Sequence, residues 1–321
     1  MPKKSPSTVK KSSSKTAKTT PKPAKVQNQV PFFIAHKVAS LYVLSAIVFT
    51  FAGVSWWRHV YNSPHRVFEA MMSNNLSTSG VTRETKNEQA GSTIDKLEKI
   101  SFVPEAGAQS LINIKQSGNG AESDVQTETM GTVTADFSRY NKIKTSQKNA
   151  EGKELDYSSI QNIWGKSVPG ESQPQYFSQA VLGIVPFANL NPETKTKVLK
   201  VLSDKKAYVV DYAGVKPLRI DGKSALVFPV SVDTAGYVEA LNIIIESLGL
   251  QGAKLDPAQY KGQPPISITL TVDKLSRHLL EASISGQQKE TYSAYGVTTA
   301  LQYPDKTIPV SQLQQKVQAI K

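Results

Sequence analysis

The stretch Thr234–Gly249, TAGYVEALNIIIESLG, is the most apolar run beyond the N-terminal region, and its spacing decides the fold class. Tyr237, Leu241, Ile244 and Leu248 recur at helical intervals and form one stripe. Val238, Ile243 and Ile245 widen that stripe over much of the circumference. Gly249 stands where a helix commonly turns into the left-handed region at its C′ position. A helix this apolar must face a sheet or a ligand. The residues on both sides supply the sheet. Ser224–Asp233 precedes it as a strand. Ile266–Val272 follows with Ile266, Ile268, Leu270 and Val272 on alternate positions. Leu279–Ser285 and Lys289–Gln302 then read as two further strands.

Working upstream, Ala207–Tyr212 is a strand. Val198, Leu199 and Leu202 mark a helix started by Asn191-Pro192-Glu193. Tyr176, Phe177, Ala180, Val181 and Val185 predict another helix that Pro186 ends. Ile112 and Ile114, then Val125, Thr127 and Thr129, alternate with polar neighbours. Gly118-Asn119-Gly120 between them is a turn signal. Val133, Ala135 and Phe137 continue the alternation past Gly131, which suggests a bulge or bend. Ser63-Pro64 starts a helix running to about Met72, with Val67, Phe68, Met71 and Met72 on one face. The order of helix, strands, helices, strands, helix, strands predicts an α+β fold with a mostly antiparallel sheet packed on one side. One domain over 58–310 is expected, with 311–321 as a C-terminal tail or short helix.

The net charge of +12 on 321 residues first suggests a nucleic-acid partner, but its location argues otherwise. Residues 1–37 hold nine lysines and no acid, while the rest carries 29 basic against 26 acidic residues. No aromatic residue interleaves those lysines, so no specific nucleic-acid surface is expected. The first 30 residues are too poor in large apolar side chains to offset their ordering entropy. Val38–Trp57 follows, without a formal charge. At about 1.5 Å per residue it reaches roughly 30 Å, a bilayer's hydrocarbon thickness. The expectation is a single transmembrane helix with the lysine-rich tail cytoplasmic and the main domain extracytoplasmic. A cleaved signal peptide, with Thr50 and Ala52 as small residues, is the main alternative.

Much chemistry is excluded by composition. The chain has no cysteine, so disulfides, thiolate metal sites and a Cys nucleophile are absent. The four histidines, at 36, 59, 65 and 278, have no metal-ligand spacing. Ser203-Asp204-Lys205-Lys206 matches a serine–lysine pattern by letters alone, without its companion motifs. Glu154 and Asp156 read as solvated neighbours on one strand face. No catalytic constellation, cofactor or metal site is expected, and the chain does not read as an enzyme.

Several strings carry a resemblance. DGKSALVFPVSVD at 221–233, the apolar helix at 234–249, ISITLTVDKLSRHLLEASIS at 266–285 and ETYSAYGVTTALQYP at 290–304 resemble the lipoprotein-carrier superfamily. SPHRVFEAMMSNNLSTSGVT at 63–82 is similar to the opening helix and strand of such domains. That superfamily includes the Lol carriers and mycobacterial lipid-binding envelope lipoproteins. The resemblance implies a strongly curved antiparallel sheet, a half-open barrel, with helices on its concave face and acyl chains held between. It assigns an apolar-ligand lining to Tyr237, Leu241, Ile244, Ile245 and Leu248, with Val181 and Val185. Those mycobacterial members carry a lipidated cysteine; here an apolar helix replaces it, so a tethered lipid binder is expected rather than a free shuttle. The same apolar stripe also suits a packed core, and then the domain is a structural or signalling interaction module of the cell envelope. Sequence does not separate a filled core from an apolar cavity.

Overall fold

In the computed structural model, residues 32–89, 91–118, 121–168, 174–284 and 288–320 are described. The chain divides into two units, Met1–Ser55 and Trp56–Lys321. The first unit holds helix α1, Phe32–Trp56, 25 residues long. From Leu41 onward its side chains are exposed, Phe49 by 77% and Phe51 by 73%. Among the described residues no helix is long and apolar enough to cross a membrane. The tail at 1–31, and the side chains of Val38–Ser40 that open the expected span, lie outside the described residues.

In the second unit, a π-turn at Trp57–Tyr61 leads to α2, Pro64–Asn75. Ser63 takes the N-cap position as expected, though its hydroxyl makes no capping bond. The helix runs one turn beyond Met72 because Asn75 is itself fully buried. Five strands follow as a meander: β1 Gly80–Gln89, β2 Ser92–Ser101, β3 Gly107–Gly118, β4 Ala121–Thr132 and β5 Asp136–Thr145. After β6, Gly165–Lys166, come α3 Tyr176–Val181 and α4 Pro192–Asp204. Then β7 Tyr208–Val210, β8 Lys216–Ile220 and β9 Lys223–Val232 lead into α5, Thr234–Ser247. A second meander, β10 Ile266–Asp273, β11 Leu279–Ile284 and β12 Gln288–Ser293, is followed by β13 Ile308–Pro309 and α6 Val310–Gln318.

The two meanders join where β12 pairs with β1, from Thr82↔Ser293 to Lys86↔Lys289. The described strands form one open, curved sheet in the order β13-β6-β5-β4-β3-β2-β1-β12-β11-β10-β9-β7, with β8 on β9. Every pairing is antiparallel except β13 with β6. The expected α+β class and antiparallel sheet are therefore present. α5 forms where its spacing places it. Asp233 caps it by accepting a bond from the Gly236 N–H at 2.7 Å. It ends in a Schellman turn: Leu250 N–H bonds to Ile245 C=O, Gly249 N–H bonds to Glu246 C=O, and Gly249 sits at φ +73°.

Several expectations need correction. β1 and β2 were not anticipated as a hairpin, because their inner face carries Arg83 and Glu98 instead of an apolar alternation. Gly131 makes no bulge; the register shift lies at Gln126/Thr127. Its lack of a side chain serves a close approach, since a Cβ there would come within 2.9 Å of the Phe177 nitrogen. Val133 and Ala135 belong to the turn between β4 and β5, where Thr132 and Ala135 bond to each other. The Asn119–Gly120 turn lies outside the described residues, but Gly118 and Ala121 pair on either side of it. Glu154 and Asp156 share no strand. Asp156 instead accepts the Ser158 N–H in a local turn.

Two more corrections shape the interior. The helix expected through Val185 stops at Val181. Residues 182–190 run on as an irregular segment whose carbonyls are claimed by tyrosines: Tyr237 Oη donates to Gly183 O, and Tyr208 Oη to Ile184 O at 2.7 Å. Its Phe187 and Ala188 are fully buried. The strand expected over Lys289–Gln302 ends at Ser293, because Ala294 turns the chain at φ +52°. The following segment then brings Tyr303 against Phe137, ring centroids 5.7 Å apart.

Candidate functional site

A cleft of about 1060 Å³ in the second unit opens between α2, α4 and β7. Its wall is set by helix faces that periodicity predicts. α2 contributes Phe68 and Met72, and α4 contributes Leu199 and Leu202, where Asn191 caps the helix by accepting the Thr194 N–H at 2.8 Å. β7 adds Tyr208 and Val210. The volume is just above the upper end of small-molecule pockets, roughly 300–1,000 Å³. The aromatic floor is tied to the core: Phe68 meets Tyr208 at 6.2 Å and Phe228 at 5.8 Å. Burial pushes the Tyr208 hydroxyl far above its ordinary value, and it is spent on Ile184 O, so it is a strut rather than an acid.

The rim is polar and mostly cationic. Arg66, Lys206 and Arg277 line it against a single carboxylate, Glu69. Glu69 lies 3.3 Å from His65 Nδ1, and the His65 ring faces Tyr212 at 5.3 Å. Arg277 comes from the β10–β11 turn and adopts φ +61°. The turn is shaped by Asp273, whose Oδ1 accepts the Leu275 and Ser276 N–H groups. It is docked on α2 by Asn74, whose side-chain amide donates to the Ser276 and Arg277 carbonyls.

The residues expected to line a ligand lie elsewhere. Tyr237, Leu241, Ile244, Ile245, Val181 and Val185 are each at most 7% exposed and belong to the core cluster, with Leu248 packed against it. None of the seven lines this cleft. Tyr237 stands one layer behind it, edge-on to Tyr208 at 5.7 Å. Sequence reasoning had found Phe68, Met72, Leu199 and Leu202 as helix faces without their shared role. Arg277 carried no signal, because neither its chain position nor its neighbours in sequence show what it faces.

A second polar cluster lies inside the sheet. Arg83 donates through Nε to Glu98 Oε2 at 2.8 Å and also through Nη2. Lys96 reaches Glu98 Oε1 at 2.6 Å, and Tyr176 Oη donates to the same oxygen at 2.7 Å. Glu290 approaches Arg83 at 4.0 Å and accepts from Tyr292 Oη. Burial alone would raise the Glu98 carboxyl, but Arg83, Lys96 and Tyr176 outweigh it and hold it below the usual carboxylate value. For Arg83, burial works against the charge and Glu98 and Glu290 outweigh it, so its pKa is raised. Two cations here answer two carboxylates, which suits a strut better than a reactive centre. Among the described residues no group of three His, Cys, Asp or Glu could hold a metal ion.

No family model matches the sequence, and no curated protein matches it either. The chain is similar to the crystal structure of LprF from Mycobacterium bovis, with 12% sequence identity and a TM-score of 0.37, over 74% of this chain and 95% of that one.

Proposed function

We propose that the protein is a membrane-anchored, extracytoplasmic domain that binds a lipid or other apolar ligand without transforming it. The cleft between α2, α4 and β7 is the observation that carries this reading: it is of ligand size, apolar within and charged only at its rim. The non-enzymatic part is supported by the wall itself, where Tyr208 is spent on a backbone carbonyl and His65 faces Glu69 and Tyr212. Anchoring is supported by the sequence alone, through the uncharged stretch Val38–Trp57 and the lysines that precede it. The α5 stripe then acts as the layer behind the wall, through Tyr237 on Tyr208.

The test is native mass spectrometry of the full chain released from detergent after incubation with excess phospholipid. A stoichiometric lipid adduct is expected. Leu199→Trp, which fills the cleft from a half-buried position, should remove the adduct while leaving the melting temperature within a few degrees. Absence of any adduct on the wild-type chain would overturn the reading. A second reading has its own support. The α5 stripe is fully packed, as an envelope interaction module without a ligand requires, and such a module would show no lipid in the same experiment.

A further inference from the structure

Arg277 is 8% exposed and takes part in no ion pair among the described residues. It is held by neutral acceptors. Its Nη1 donates to Lys274 O, and its Nη2 donates to Tyr61 O at 2.9 Å and to Asn62 Oδ1 at 3.1 Å. The guanidinium carbon lies 4.9 Å from the centre of the Tyr61 ring. A guanidinium has five N–H donors. The Nε–H and one Nη1–H are therefore left over, on a side chain that lines the cleft. Asp273, in the same turn, makes no ion pair with it among the described residues; its Oδ1 accepts two backbone N–H groups. A nearly buried cation without a counter-charge is costly unless a ligand supplies one. Arg66 and Lys206 line the same cleft and have no acidic partner among the described residues either. The cleft is thus lined by a nearly buried cation with two spare donors and by two exposed ones.

We propose that the cleft selects amphiphiles with an anionic headgroup, and that Arg277, flanked by Arg66 and Lys206, binds that headgroup while the acyl part lies on Phe68, Leu202 and Tyr208. This rests on the lipid-binding reading above and adds the chemical class of the ligand. The spare donors, on Nε and Nη1, can each serve one anionic oxygen, and a zwitterion's ammonium would meet three cations.

The experiment is competition on the full chain in detergent. Equal amounts of dioleoyl phosphatidylglycerol and dioleoyl phosphatidylcholine are offered, and native mass spectrometry reads the ratio of adducts. The wild type should favour the anionic lipid, and Arg277→Gln should lower that preference roughly tenfold, as loss of charge-assisted bonds implies. Because Arg277 also holds Tyr61 and Asn62, a second variant guards against misfolding: Arg66→Gln with Lys206→Gln removes two exposed charges and should lower the preference in the same direction. The lysines of the tail are common to all variants and cancel in the comparison. Lipid bound without preference, or a preference that neither variant changes, would overturn the headgroup assignment and leave lipid binding standing. Displacement of the lipid by millimolar inorganic phosphate would show a free-anion site and overturn the amphiphile assignment. No lipid on the wild type would overturn both this inference and the reading it rests on.

Discussion

Ile244 separates a packed core from a ligand wall, and the structure fixes what its truncation should cost. The side chain is fully buried, and its α5 neighbours Leu241 and Ile245 are 4% and 0% exposed. Ile244→Ala removes three carbons, worth about 2.5 kcal/mol of transfer free energy at roughly 0.8 kcal/mol per carbon. If the surroundings hold their places, a void of up to about 70 Å³ adds roughly 1.5 kcal/mol. The expected loss is about 4 kcal/mol, near the upper end for such truncations and a large fraction of an ordinary domain's stability. For a domain of this size that lowers the melting temperature by about 8–16 °C. Thermal melts of the full-length wild type and variant in the same detergent, followed by tryptophan fluorescence, measure it. A drop below about 3 °C would mean that Ile244 already borders open space, because fewer neighbouring atoms are lost there. If Ile244→Glu then also lost its bound lipid while staying folded, the stripe on α5 would be the ligand wall, and the cleft between α2, α4 and β7 would not.

Two further outcomes follow from charges. Glu98→Gln strips the partner from a buried Arg83 and from Lys96, and should cost about 3–5 kcal/mol in chemical denaturation, as breaking one side of a buried pair does. Glu98's folded pKa lies below its unfolded value, so its contribution is present above the ordinary carboxylate value of 4.5 and is lost as pH falls through the folded value. The wild type should therefore lose stability on acidification below that pH, and Glu98→Gln should flatten part of the slope; an unchanged slope would deny the pair this role. For topology, a periplasm-dependent reporter fused after Lys321 should be active, and activity of a cytoplasm-dependent reporter at the same site would remove the membrane-anchored reading.

The parts of the fold legible in the sequence are those whose apolar spacing and end signals agree. α5 has a stripe, an Asp cap and a Gly stop, and all three are found in place. β10 alternates cleanly and forms with Ile268, Leu270 and Val272 buried. β1 and β2 were illegible because their inner face is polar by composition and apolar only in effect. Arg83 and Glu98 face each other in register and neutralise one another, which periodicity of single residues does not register. The short α3 is held by a distant group. Asp136 Oδ2 accepts the N–H groups of Gln175 and Tyr176, and no local cap announces this. Arg277 was invisible for the same reason, since its acceptors Tyr61 and Asn62 lie more than 200 positions away.

The displacement of the candidate site from α5 to the cleft has one physical origin, the segment 182–190. The sequence spacing predicts one helix through Val185, and the family resemblance implies space for acyl chains between helices and sheet. The chain instead leaves the helical path after Val181, and Phe187 and Ala188 are buried completely where that helix would have ended. An irregular segment is tolerated in the interior only if its backbone groups find partners. Gly183 O and Ile184 O find them in Tyr237 and Tyr208, while Ala188 N–H and Leu190 N–H find them in Asn75 O and Leu76 O. Tyr237, expected to face a ligand, and Tyr208, expected only as part of a strand, thus stitch the protein's own segment into the interior. Tyr208 still lines the cleft while its hydroxyl bonds to Ile184 O, so the cleft wall and the core share that residue. The molecule keeps the apolar interior that the sequence announces, fills it with residues 182–190, and leaves its open apolar surface one layer further out, beside Arg277.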